Sequence, residues 1–173
     1  GAAQGGAHFL PALEHRRMKP HPERESSLPS RDQSLRGLEL QRVSLSAEDL
    51  VTLSGAVEKL EDLTLANRAL DARGLRAVVE RLGSPLHLDL SGSEQGPDLM
   101  NALASRLGRT RTLWLYRNPI GDEGLRWLLS SGALDHVEDL GLGDCELTDV
   151  SLRALAEASL PNLRGLWLGG NRH

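Results

Sequence analysis

Apolar and polar positions recur along this chain in one frame, Leu-x-x-Leu-x-Leu-x-x-[Asn/Cys]-x-[Leu/Ile]. The frame starts at Leu35, Leu60, Pro85, Thr110, Val137 and Leu163, at steps of 25, 25, 25, 27 and 26 residues. A fixed period of this length is the signature of stacked, nearly identical units. Each unit carries a Leu-x-Leu pair: Leu38/Leu40, Leu63/Leu65, Leu88/Leu90, Leu113/Leu115, Leu140/Leu142 and Leu166/Leu168. Alternation at period two predicts a short strand with both leucines turned inward. A turn follows, then segments such as Gly74–Leu82 and Gly124–Leu129. Their apolar residues fall at i, i+3 and i+4, which predicts a helix with one buried stripe. Leu152, Leu155 and Ala156 repeat that spacing. The predicted fold is an α/β solenoid over residues 35–173, a right-handed superhelix bent into a horseshoe. About six parallel strands line its concave side and helices its convex side.

The clearest unit is Arg117-Asn-Pro-Ile-Gly-Asp-Glu-Gly-Leu125. It resembles the ribonuclease-inhibitor-like class of leucine-rich repeats, in which Asn-x-Ile/Leu-Gly/Thr-Asp-x-Gly-Leu joins strand to helix. Cys145-Glu-Leu-Thr-Asp-Val-Ser-Leu152 and Leu166-Trp-Leu-Gly-Gly-Asn171 fit the same frame. The resemblance covers residues 35–173 and implies the fold, not the partner. The frame departs at Val43, Arg68 and Ser93, which stand where Asn or Cys is usual, and at Gln95-Gly-Pro97, where a bulged loop is expected.

Asn and Cys suit the inward turn for a local reason. Backbone N–H and C=O groups leave the sheet there and need partners. An Asn amide supplies donor and acceptor together. A Cys thiol is small and tolerates burial. Asn118, Asn171 and Cys145 therefore read as structural.

The outward residues decide function. Unit by unit they run Gly37/Glu39/Gln41, Asp62/Thr64/Ala66, His87/Asp89/Ser91, Thr112/Trp114/Tyr116, Asp139/Gly141/Gly143 and Gly165/Trp167/Gly169. The chain has 3 Trp, 1 Tyr and 1 Phe, and Trp114, Tyr116 and Trp167 all fall on this face. Strands lie ~4.8 Å apart, so Trp114 and Trp167 are expected ~10 Å apart over bare Gly141, leaving a slot for an inserted side chain or peptide. Trp and Tyr dominate binding hot spots. The candidate contacts are Trp114, Tyr116 and Trp167, with Glu39, Asp89, Arg117, Asp139 and Asp144 as a polar rim. Glu138, Asp139 and Asp144 favour a partner with positive charge. Arg36–Glu61 and Arg111–Glu138–Arg164 are expected to pair across strands as a ladder. Trp127, in the slot that Ala77 and Ala154 fill elsewhere, is expected to pack between helices.

Composition narrows the rest. Net charge is −4 with both signs interspersed. No basic stripe supports nucleic-acid binding, and no apolar run reaches the ~18 residues that span a membrane. One cysteine gives no disulfide framework and suits a reducing, cytoplasmic setting. The 6 histidines form no metal-ligand pair, and no cofactor is expected. His87, Asp89 and Ser91 lie on one short strand without an oxyanion hole or cleft, which does not make a triad. Residues 1–34 are expected to be a flexible or capping segment. The stretch 19–34 is rich in Pro, Ser, Arg and Glu, and His8–Met18 offers a turn or two of helix to shield the first unit. Gly1 in place of Met, and the lack of a helix after the sixth strand, lead us to expect a processed chain truncated at its C-terminus.

The expected role is a non-enzymatic protein-interaction module that binds a protein or peptide on its concave face. Two alternatives stand beside it. One is a GTPase-activating protein of the Ran type, to which the repeat class also extends, with Arg42, Arg117 or Arg172 as the exposed arginine. The other is a structural or oligomerisation arm that self-associates through its open C-terminal end.

Overall fold

The computed structural model describes residues 35–41, 46–67 and 70–171. The expected N-terminal cap, and the positions Val43, Arg42, Arg68 and Arg172, lie outside them. Within them, strand and helix alternate: β1 (Gly37–Gln41), α1 (Ala47–Val57), β2 (Asp62–Ala66), α2 (Ala72–Val79), β3 (His87–Asp89), α3 (Pro97–Ala104), β4 (Thr112–Trp114), α4 (Gly121–Ser130), β5 (Asp139–Gly141), α5 (Asp149–Glu157) and β6 (Gly165–Trp167). The strands form one open parallel sheet in sequence order. The fold is the α/β solenoid that the periodicity predicts.

The sequence frame is also the register. Leu38, Leu63, Leu88, Leu113, Leu140 and Leu166 pair across the sheet in one column. The Leu-x-Leu residues of β1–β5 are at most 1% exposed. Helix residues such as Leu75, Val78, Val79, Met100, Leu103, Leu125 and Leu128 cover them. Each buried leucine contributes about 1.5–3 kcal/mol of transfer free energy. Leu166 on β6 is 38% exposed. On α5 the buried residues are Ser151 and Leu155, while Leu152 is half-buried and Ala156 exposed. The expected stripe is incomplete there because no described helix packs on the far side of α5.

Local chemistry starts the first three helices. Ser46 and Asp49 form a reciprocal capping box on α1, and Asp71 accepts from Gly74 N at 2.7 Å on α2. Pro97 occupies the first turn of α3, where its missing N–H costs nothing.

From unit three on, the inward turns form a ladder that ties a unit to the one before. Asn118 is 1% exposed; its Nδ2 donates to Leu90 O at 2.9 Å and Leu115 O at 3.1 Å, and its Oδ1 accepts from Gln95 N at 2.9 Å. Asn171 repeats this with Leu142 O, Leu168 O, Cys145 N and Leu147 N. Ser93 serves as the rung in unit three, donating to Leu65 O at 3.1 Å. The departure at Gln95-Gly-Pro97 is satisfied locally, since Gln95 Nε2 donates to Ser93 O at 2.7 Å. Thr110 stands at the first leucine position and donates to Pro85 O at 2.6 Å.

Cys145 Sγ lies 3.0 Å from Leu115 O in the same ladder. Burial pushes its thiol up to about 11. The thiolate is the reactive form, so Cys145 is expected to stay inert toward a disulfide reagent at pH 7.5 until the protein unfolds. A stopped-flow titration with and without denaturant checks this; prompt labelling of the folded chain would contradict it.

Two expectations of side-chain packing fail. The ladder Arg36–Glu61 and Arg111–Glu138–Arg164 makes no ion pair. Ion pairs within 4 Å form elsewhere, at Arg76–Glu80, 3.1 Å, and at His87–Asp62, 3.9 Å. Backbone bonds align these units instead, with Glu61 N to Arg36 O and Glu138 N to Arg111 O both at 2.7 Å. An exposed pair adds too little to order two long side chains. Trp127 is 40% exposed rather than packed between helices. The reason lies one turn away at Gly124. A Cβ there would sit 3.1 Å from Met100 Cγ and 3.4 Å from Pro97 Cα. Helices α3 and α4 are therefore too close to admit an indole, and the ring stays outside.

Helix α5 is tied to α4 through Asp122. Its carboxylate accepts from Thr148 N at 3.0 Å and from the hydroxyls of Thr148 and Ser151. Burial alone would raise its pKa, but these bonds outweigh it and hold the group below 3.8. A carboxyl depressed by folding contributes stability fully above its unfolded pKa, and loses it as pH falls through the folded value. Urea unfolding from pH 5 down to pH 2 should show the wild type losing stability below 3.8 more steeply than Asp122→Asn. Parallel curves would contradict this role.

Candidate functional site

The concave face is built by the outward residues of β1–β6 and the turns that follow them. One column runs Glu39, Thr64, Asp89, Trp114, Gly141, Trp167. Trp114 and Trp167 therefore share a column with Gly141 between them, as the sequence frame requires.

The expected slot between the indoles does not exist. Their ring centroids lie 5.1 Å apart at 73°, an edge-to-face contact. Tyr116 joins from the other side, 5.9 Å from Trp114 and tilted by 30°. The rings lean into the space left by missing side chains. A Cβ on Gly141 would fall 2.5 Å from Trp114 Cε3 and 2.7 Å from Tyr116 Cζ; one on Gly143 would fall 2.7 Å from Tyr116 Cδ1. Trp167 folds back over Gly165 in the same way. Edge-to-face pairs gain about 0.5–1.5 kcal/mol beyond area burial, and nothing else fills the glycine floor. The result is a closed aromatic surface. Trp114 and Tyr116 are partly exposed and Trp167 is 45% exposed.

The floor makes a testable claim. Gly141→Val suits a strand backbone but removes the space beneath two rings. The variant is expected to fold, with the near-UV circular dichroism of the aromatic cluster altered. An unchanged spectrum would mean that the rings do not rest on Gly141.

The candidate rim is only partly assembled. Asp89 flanks Trp114 in the column, and its Oδ1 accepts from Ser91 N at 2.9 Å. Asp139 pairs with Thr112 and Gly165 beside the indoles. Asp144 is exposed in the turn after β5, above Gly170. Arg117 points elsewhere: its Nη2 donates to Asn67 Oδ1 at 3.1 Å, two units back across Gly92. Glu39 stands three strands from Trp114, ~14 Å by strand spacing, and is not a rim of this cluster. Burial raises the Tyr116 hydroxyl above 10.0, with Asp89 and Cys145 adding to it, so it remains a neutral donor at physiological pH.

One contact escaped the sequence reading. His87 Nδ1 and Thr112 Oγ1 share a hydrogen bond at 2.9 Å, with Asp62 Oδ1 at 3.9 Å from Nε2. The signal was present, since the three residues share one outward column. The group lies half-exposed on an open sheet, without the enclosed cleft that hydrolysis requires. Asp89, which His87 would need for the rejected triad, accepts from the Ser91 backbone N–H instead, and the Ser91 hydroxyl is buried. Among the described residues no group of three His, Cys, Asp or Glu is placed to hold a metal ion, and no helix is long and apolar enough to cross a membrane. The strand positions from β1 to β6 carry Glu39, Asp62, Asp89 and Asp139 and no Lys or Arg. The strand positions are acidic around an aromatic centre, with exposed Arg111 and Arg164 just before β4 and β6.

No family model matches the chain. A curated relative, the ribonuclease inhibitor of Sus scrofa, is 35% identical over 119 residues, or 63% of this chain and 26% of the inhibitor. The chain thus spans about a quarter of that relative's length. A solved structure titled tropomodulin C-terminal domain, from Caenorhabditis elegans, aligns over 72% of this chain and 84% of its own with a TM-score of 0.49 at 18% identity. The in-register leucine columns and the Asn/Cys/Ser ladder occur together with this sequence similarity. These findings support a leucine-rich-repeat chain similar to the ribonuclease-inhibitor-like class.

Proposed function

We propose that the chain is a non-enzymatic interaction module that docks a protein or peptide, with positive charge beside an apolar anchor, on the C-terminal half of its concave face. One observation carries the reading: the continuous, partly exposed surface of Trp114, Tyr116 and Trp167 among carboxylates and without a cation in the strands. Exposed aromatic surface of this kind on a concave face favours contact. The partner packs across the rings rather than between them, because the slot is closed. Asp89, Asp139 and Asp144 steer its charge, while Glu39 and Arg117 meet it only if it extends toward the first units.

The sequence relative is a ribonuclease inhibitor, so a ribonuclease is the first partner to assay, beside capture from the source proteome. Saturable binding lost in a folded Trp114→Ala/Trp167→Ala variant supports the site. Binding retained by that variant shows that the site is wrong.

The GTPase-activating alternative predicts faster GTP hydrolysis by a small GTPase, lost on Arg117→Ala. The tether of Arg117 to Asn67 gives it no support. The self-association alternative rests on the exposure of Leu166 and Trp167 at β6, and predicts concentration-dependent mass in light scattering. A single buried thiol suits a reducing compartment.

A further inference from the structure

The convex side carries a second surface that the concave reading does not use. Helices α4 and α5 part to leave a groove of about 500 Å³. Its floor is Leu125 and Leu129 from α4 with Val150, Ala154 and Ala158 from α5. Val150 is 62% exposed, an unusual position for a branched apolar side chain with no partner.

The slot that Gly74 and Gly124 fill in units two and four is Ser151 in unit five. Gly124 lets α4 close on α3. Ser151 instead places a Cβ and a hydroxyl toward α4, and that hydroxyl donates to Asp122. That bond ties the start of α5 to α4, while Val150 beside it stays uncovered.

The charges of the groove are uneven and placed at its ends. Glu123 lies in the first turn of α4 and Glu157 in the last turn of α5. Both are exposed. Asp122 adds a third carboxylate, spent on Thr148 and Ser151, and Arg126 is the one cation of the lining. Successive helices of a solenoid run the same way, so Glu157 is level with Ser130, seven residues beyond Glu123. Seven residues are two helical turns, about 10 Å.

We propose that this groove receives one face of an amphipathic helix from a partner protein, with an apolar stripe on the floor and Lys or Arg side chains seven residues apart against Glu123 and Glu157. Helix-in-groove docking uses this arrangement of apolar anchors between charged flanks. The open trough fits an extended rod better than an enclosed small molecule.

The test uses two synthetic helical peptides with the same leucine stripe, one carrying Lys and the other Glu at the paired flank positions. Each is titrated into the whole chain labelled with ¹⁵N. The Lys peptide is expected to shift amides of α4 and α5 saturably and to bind about tenfold tighter than the Glu peptide. Val150→Glu, at an exposed site, should abolish binding. Glu123→Lys/Glu157→Lys, also exposed, should invert the charge preference, and Trp114→Ala should leave binding unchanged. Equal affinity for both peptides, no binding of either, a preference the charge swap does not invert, or shifts confined to β4–β6 would overturn the proposal. So would concentration-dependent shifts of the same amides without peptide, which would assign the groove to a second copy of this chain.

Discussion

Asn118→Ala is expected to destabilise the fold by about 3–4 kcal/mol, the largest effect of any single substitution outside the leucine columns. The amide is buried and serves both sides of a unit boundary. Its loss strands Leu90 O as an acceptor and Gln95 N as a donor, and leaves Leu115 O with only the weak thiol donor of Cys145. Each buried group left without a partner costs roughly 1–3 kcal/mol, and water has little room beside a residue 1% exposed. Asn118→Ser should fall between, because Ser93 shows that a hydroxyl makes one rung of this ladder and no more. Urea unfolding followed by circular dichroism checks the order. A loss below about 1 kcal/mol for the alanine variant would mean that the unit boundary is held by the leucines alone.

The Trp114→Ala/Trp167→Ala variant is expected to weaken partner binding about 100-fold, or roughly 3 kcal/mol, in the range of interface hot spots. Its effect on folding should be smaller, about 1–2 kcal/mol, the value of the aromatic contacts it removes. Both rings lie on the outward side of the sheet, and neither belongs to the buried core. Isothermal titration with a captured partner and thermal melts of the same samples separate the two quantities. A binding loss no larger than the stability loss would make the cluster a cover for the sheet, not a docking surface.

The sequence made the columns legible because a solenoid converts spacing into neighbourhood. Once Leu38 and Leu63 mark the same slot, Trp114, Gly141 and Trp167 must be adjacent, and they are. The direction of a side chain within its slot was not legible. Backbone spacing alone leaves the two indoles about 10 Å apart, but glycine in the intervening slot lets both lean inward until they touch. The same limit explains Arg117: its slot lies beside the aromatic cluster, while its guanidinium reaches the other way over Gly92 to Asn67. Trp127 failed for a different reason. Its slot was read from Ala77 and Ala154, while the room there is set by Gly124 against α3. The convex groove was not legible either, because the room between α4 and α5 appears only when the distance between the two helices is known. Ser93 shows the opposite case. It departs from the Asn/Cys pattern, yet its hydroxyl makes the required bond.

The whole account turns on whether a partner sits against the inner curve at units four to six. The most direct measurement is backbone amide hydrogen exchange of the chain alone and in complex with a captured partner. The account predicts new protection in β4, β5, β6 and the turns after them, around Tyr116 and Asp144, with α2 and α3 unchanged. Protection confined to the helices, with the strand residues beside Trp114 and Trp167 exchanging as they do in the free chain, would contradict it.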